Sequence, residues 1–221
     1  MTAQLDGPRI APAADGPARQ LVVLLHGYGA DGNDLIALGQ QWAGLLPHAA
    51  FVAPNAPDRC AGSPFGYQWF PLQRLDPHEF ATGVQTATPL LNGFIDAELA
   101  VLGLGAASLA LVGFSQGTML ALQVGLRREP GPVAIVGYSG ALAAPERLNG
   151  EITARPPVLL IHGDADEVIP VVALHHAAAG LGAAEVPVEW HVTQGLGHGI
   201  DADGLAMAGR FLAERFAEAA A

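Results

Sequence analysis

Ser115 stands in Gly113-Phe114-Ser115-Gln116-Gly117, directly after the apolar run LALV and directly before the helix-forming run TMLALQVGL. A serine on an abrupt strand-to-helix turn suits nucleophilic attack on a carbonyl. The turn strains the serine backbone, and the flanking glycines remove Cβ atoms where chain segments crowd. The amides that open the new helix then point at charge developing on the substrate. A second serine, Ser139 in Gly137-Tyr138-Ser139-Gly140-Ala141, also follows an apolar run. No helical run begins after it and alanine holds the second glycine's place, so Ser139 reads as a turn or pocket wall.

A serine hydroxyl attacks only when a base takes its proton, and the base must be held in the right tautomer by an acid. Where such a turn carries the nucleophile, the acid and the histidine follow it along the chain in that order. The run VLLI leads into His162-Gly163-Asp164-Ala165-Asp166-Glu167-Val168-Ile169-Pro170, and a later run leads into Gly195-Leu196-Gly197-His198-Gly199. His198, between glycines, is the base. Two aspartates compete for the acid. Asp164 sits at the turn, where an aspartate commonly bonds its own backbone two residues on. Asp166 is favoured, because Val168 and Ile169 after it should tuck under the site and Pro170 should open a helix. The other histidines fall on loops, helix surfaces or inside a strand and are assigned no chemistry.

The loop His26-Gly27-Tyr28-Gly29-Ala30-Asp31-Gly32 admits two readings. Gly27, Gly29 and Gly32 spell the G-x-G-x-x-G of a dinucleotide site, which makes an NAD-dependent oxidoreductase the chief rival. That reading requires a carboxylate at the end of the next strand, about 20 residues on, to bind the ribose. Pro54 and Asn55 stand there instead. In the serine reading, the same loop exposes the Tyr28 amide, which joins the Gln116 amide as the second donor to an oxyanion. This one scheme accounts for loop, elbow, acid and base together. A non-catalytic binding protein on the same scaffold would have no need of a complete triad.

These residues need strands to deliver them to one side. Short apolar runs at 21–25, 50–53, 109–112, 133–136, 158–161 and 188–192 alternate with helical patterns near 34–46, 83–102, 116–128, 171–181 and 203–219. All runs but the last are apolar throughout, as strands covered on both faces must be. The alternation predicts an α/β fold with a mostly parallel sheet and helices on both faces, in a single domain over 1–221. Residues 1–20 are expected to add an arm or an edge strand. Ligands of such sheets bind beyond the carboxyl ends of the strands, where these motifs fall.

With 221 residues and 51% hydrophobic content, a substantial core is affordable. All ten basic residues are arginine, against 21 acidic ones, and the net charge of −11 argues against a nucleic-acid partner. The single cysteine, Cys60, can form no intrachain disulfide and no thiolate metal cluster. No secretory layout opens the chain, and no apolar run reaches the roughly 18 residues of a membrane span. A cytoplasmic protein without stable membrane insertion is the expectation. The segment SPFGYQWFPL is too aromatic for a solvated loop, so Trp69 and Phe70, with Val168, are expected to wall an acyl group.

Taken together, LLHGYGADGNDL, GFSQG, HGDADEVIP and GLGHGI resemble the bacterial carboxylesterase/phospholipase family that also contains the acyl-protein thioesterases. The resemblance runs from residue 20 to the last helix. It implies the α/β-hydrolase fold without a large cap, the triad Ser115, Asp166 and His198, and oxyanion amides at Tyr28 and Gln116. It also implies carboxylic esters, thioesters or lysophospholipid esters as small-molecule substrates, no cofactor and no metal, and a homodimer in some members. Two departures bear on acyl preference. Pro71 stands where an aspartate often follows the Trp-Phe pair, and Tyr28 stands where an aliphatic residue is common.

Overall fold

The computed structural model describes residues 5–221 apart from 61, 62, 64, 74 and 75. Residues 1–4 of the expected arm, and Pro64 in the aromatic segment, therefore lie outside the described residues. The strands are β1 (Arg9–Ile10), β2 (Gln20–Leu25), β3 (Ala49–Val52), β4 (Asp58–Arg59), β5 (Tyr67–Gln68), β6 (Leu109–Phe114), β7 (Ala134–Tyr138), β8 (Val158–Gly163) and β9 (Val188–Thr193). The helices are α1 (Gly32–Trp42), α2 (Pro77–Leu102), α3 (Gln116–Gly125), α4 (Pro145–Glu151), α5 (Val172–Ala183) and α6 (Ala202–Ala219).

Seven strands form one sheet in the order β1-β3-β2-β6-β7-β8-β9. Every pairing is parallel except the antiparallel β1–β3 edge. Continuous apolarity of the strands follows from burial on both faces. Leu21, Val23 and Leu25 enter the core shared with Leu91 and Ile95 of α2 and Leu120 of α3. Val22 and Leu24 point the other way, onto Trp42 of α1 and Phe211 and Leu212 of α6. Each residue's face alternates, as a strand period of two dictates. The exception in the sequence, β9, is the sheet's edge. There Glu189 and Trp190 are exposed, so polar residues cost nothing.

Helix α2 begins six residues before the expected 83. Asp76 accepts a hydrogen bond from the Glu79 amide at 2.8 Å and Pro77 presets the first helical φ. Such a capped, polar first turn carries no apolar period to detect. Helix α4 and the small β4–β5 ribbon were not anticipated either, the one burying only Leu148 and the other pairing two residues per strand. Among the described residues, no helix is long and apolar enough to cross a membrane.

From β2 the chain passes to β3 on one side, whereas β6, β7, β8 and β9 step away on the other. The crevice between the carboxyl ends of β2 and β6 is thus the point where the strand order reverses, the usual ligand position of an open parallel sheet.

Candidate active site

The crevice brings the Gly27 loop and the Ser115 turn together. Ser115 is buried, with φ 54° and ψ −115°, a backbone conformation that only surrounding structure can impose. Its N–H donates to the Tyr138 carbonyl at 2.8 Å, and Thr118 Oγ1 lies 2.8 Å from the carbonyls of both Gly113 and Tyr138, to which its one O–H can donate. The flanking glycines are required by close approach. A Cβ at Gly113 would lie 2.4 Å from the Gly117 carbonyl, and one at Gly117 would lie 1.9 Å from the Leu25 carbonyl. Helix α3 can therefore start against the end of β2 only with no side chain at 117. Ser139, by contrast, is fully buried in the next turn, its N–H bonded to the Ile161 carbonyl at 2.9 Å.

Beyond β8 and β9 the acid and base loops meet. Asp166 Oδ2 lies 2.8 Å from His198 Nδ1, while Oδ1 accepts the N–H groups of Val168 and Ile169 at 2.9 Å each. Burial works to raise the Asp166 pKa. The bonds from His198, Ile169 and Val168 outweigh it and hold the carboxyl below the usual aspartate range. With Nδ1 donating to the carboxylate, Nε2 is the basic nitrogen of His198. The His198 ring packs on Phe114, beside the nucleophile, with centroids 4.8 Å apart. Ser115 and His198 are neighbours through Phe114, and no hydrogen bond joins Oγ to Nε2 among the described residues. Unliganded sites commonly close that bond only with substrate.

Asp164 does not bond its own backbone as expected. Its Oδ1 accepts the Gly195 N–H at 2.6 Å and its N–H donates to the Thr193 carbonyl at 3.1 Å. It thus ties the acid loop to the base loop from outside. Nor does Val168 tuck under the site. Its amide is held by Asp166 while its side chain is 63% exposed, and Ile169 alone packs onto the core. His162, assigned no chemistry, is buried with Nε2 donating to the Ile169 carbonyl at 2.7 Å and 3.2 Å from Asp166 Oδ2. Its position at the end of β8, four residues before the aspartate, was the only signal.

A Cβ on Gly27 would stand 3.3 Å from the Ser115 Cβ, so the loop that carries Tyr28 passes beside the nucleophile. Gly29 N–H is spent on the Tyr67 carbonyl and Ala30 N–H on that of Gly27. Among the described residues the N–H groups of Tyr28 and Gln116 have no partner. The neighbouring Cys60 raises the pKa of the Tyr28 phenol. Tyr28→Ala is accordingly expected to keep most activity. Tyr28→Pro, lacking the N–H, should lose about a hundredfold or more in kcat on a p-nitrophenyl ester. A severe loss in the alanine variant with normal folding would assign a role to the phenol.

Residues 6–215 match the phospholipase/carboxylesterase family. The chain belongs to this family. It is 32% identical to Esterase YpfH of Escherichia coli K12 over 197 residues, covering 87% of this chain and 81% of that protein. Acyl-protein thioesterase 1 of Schizosaccharomyces pombe is 29% identical over 180 residues, covering 78% and 79%. The crystal structure of esterase PE8 superposes with a TM-score of 0.91 at 49% identity, covering 96% of this chain and 99% of that one. As a member of the family the chain is an α/β hydrolase of the serine esterase type.

Family membership leaves the dinucleotide reading of the glycine loop without support, and the packing supplies the physical reason. A Cβ at Gly32 would lie 2.0 Å from the Ala53 carbonyl, so this glycine admits a neighbouring strand rather than a pyrophosphate. Asn55, where the ribose carboxylate was required, instead accepts the Gly32 N–H, the first amide of α1, at 2.8 Å. His26 anchors the same loop. Its Nδ1 donates to the Gly27 carbonyl at 2.8 Å, its Nε2 accepts the Ala56 N–H at 3.0 Å, and burial lowers its pKa. The folded state holds His26 neutral while the unfolded chain protonates it below about pH 6.5. Stability from this group is therefore complete above that value and lost as pH falls toward the depressed folded pKa. Thermal midpoints measured from pH 7 to 5 should decline, and His26→Gln should flatten the decline. Parallel curves would clear His26 of this role.

The Trp69-Phe70 pair packs against the core. The two residues are 3% and 2% exposed and belong to the main hydrophobic cluster. Trp69 Nε1 donates to the His26 carbonyl at 2.9 Å, giving the buried indole the partner it needs. One edge of both residues borders a cavity of about 350 Å³, which Pro71, His78 and Thr82 also line. The Gln116 side chain was overlooked altogether, because only its amide had a role in the sequence reading.

Proposed function

We propose that Ser115, His198 and Asp166 form the catalytic triad of a serine carboxylesterase, with the amides of Tyr28 and Gln116 as its oxyanion hole. Ser115 Oγ attacks the ester carbonyl carbon while its proton passes to His198 Nε2. The oxyanion takes hydrogen bonds from Tyr28 and Gln116, and the positive end of α3 adds to them. Collapse expels the alcohol, which receives the proton from His198, and leaves an acyl-serine. Water, deprotonated by the same histidine, releases the acid and restores Ser115. Asp166 stays ionised throughout and stabilises the imidazolium. No step calls for a metal or cofactor.

The observation that carries this reading is the 2.8 Å Asp166–His198 bond, with the His198 ring against Phe114 beside the strained serine. The acyl chain is assigned to the side of Trp69 and Phe70, along the 350 Å³ cavity. Val168, exposed on the acid loop two residues after Asp166, is assigned a further contact to the substrate. We further propose a single capless domain working in the cytoplasm on small-molecule esters. The test is intact-mass analysis after treatment with an organophosphonate, followed by p-nitrophenyl esters of increasing chain length. A single adduct on the Ser115 peptide is expected, and an adduct elsewhere overturns the assignment. Because the fission-yeast relative is named a thioesterase, matched acyl thioesters form the second arm.

A further inference from the structure

An oxyanion hole works only if both donors lie about 2.7–3.1 Å from one point. Here the two amides belong to different loops, one after β2 and one after β6, and no local sequence rule sets the gap between them. We propose that the Gln116 side chain and the Trp69 indole act as positioning residues that set the separation of the two oxyanion amides. This rests on the reading of Ser115 and its two amide donors given above.

Any residue but proline would supply the amide at 116. A buried carboxamide costs free energy unless both of its ends are bonded. Gln116 is 1% exposed and both ends are bonded, to consecutive residues of one segment. Its Oε1 accepts the Trp69 N–H at 2.9 Å and its Nε2 donates to the Phe70 carbonyl at 2.8 Å. The same Trp69 sends its indole N–H to the carbonyl of His26 at 2.9 Å. That carbonyl lies two residues before the Tyr28 amide. His26 in turn is locked to Ala56 and Gly27 through its ring. A hydrogen-bonded strap thus runs from the residue that provides one donor, through Trp69, to the loop that provides the other. Beneath it the backbones already touch, since Gly117 lies against the Leu25 and His26 carbonyls. The floor contact stops the two loops from closing further, and the strap stops them from opening.

The test uses the full chain with its active serine counted by phosphonate mass labelling, so that kcat is expressed per labelled site. Gln116→Met keeps the length and loses both bonds, and Trp69→Phe keeps the aromatic bulk and loses the N–H. Each is expected to lower kcat on p-nitrophenyl acetate by about 30- to 100-fold, as misplacement of a reacting group by about 1 Å does, with KM nearly unchanged. The double variant should fall no further than the worse single, because one strap is cut twice. Gln116→Glu supplies a readout that packing cannot imitate. Its carboxylate can accept from Trp69 but offers no proton to Phe70, whereas the neutral acid can do both. Burial raises such a carboxyl's pKa, so the ratio of variant to wild-type kcat should climb as pH is lowered from about 8 to 6. This arm and Trp69→Phe decide the matter if the methionine variant does not fold. Unchanged kcat per labelled serine with a lowered melting temperature, or multiplicative losses in the double variant, overturns the proposal. If wild type is not labelled at Ser115, the nucleophile assignment falls first and takes the strap with it.

Discussion

Replacing Ser115 by alanine is expected to reduce ester turnover by on the order of a millionfold, the scale seen when a triad nucleophile is removed. The fold should survive. The Ser115 amide bonds to Tyr138, and the Ser115 carbonyl receives the amides of Thr118 and Met119, so every bond made by this residue that holds the turn comes from the backbone. Alanine pays the same cost at φ 54° that serine does, and both have a Cβ. Thermal midpoint and kcat/KM on a p-nitrophenyl ester, measured on the same preparation, check both statements. Retention of more than a few per cent of activity, with no serine contaminant, would remove Ser115 from the chemistry.

The second large effect is expected at the acid. In a comparable triad, asparagine in place of the aspartate lowers turnover by about 10⁴, because the amide imposes the wrong imidazole tautomer. Asp166→Asn should act the same way here. Its oxygen can still accept from Val168 and Ile169, but its NH₂ faces His198 Nδ1 and lies near the His162 N–H. Two donors then crowd one spot, so a stability loss of roughly 1–3 kcal/mol should accompany the loss of activity. Asp164→Asn should retain activity, since an exposed amide oxygen can still take the Gly195 N–H. A loss confined to Asp164→Asn would transfer the role. The lowered Asp166 pKa adds a pH statement. Its stabilising contribution is present above the ordinary aspartate value of about 3.9 and is lost as pH falls through the lower folded value. Loss of activity nearer neutrality is therefore not Asp166 taking up a proton.

What the sequence by itself determined is whatever depends on neighbours along the chain. Apolar runs mark strands that must be buried on both faces. The glycines at 113 and 117 mark a turn too tight for side chains. The order of serine, aspartate and histidine after successive strands, all parallel, places them at one end of the sheet. The glycines on either side of Tyr28 likewise mark a loop whose backbone is free to present an amide. Tertiary structure decided the rest, because it depends on groups that meet only when distant segments pack. Asp164 and Asp166 are two residues apart and chemically identical. One turns out to join two loops and the other to hold His198, according to how β8 and β9 deliver those loops. Trp69 read only as a wall for substrate, and the structure adds that its indole N–H finds the His26 carbonyl 43 residues away. Gln116 bonds a segment 46 and 47 residues earlier in the chain. No spacing rule connects such positions, because the strap exists only once β2 and β6 lie side by side.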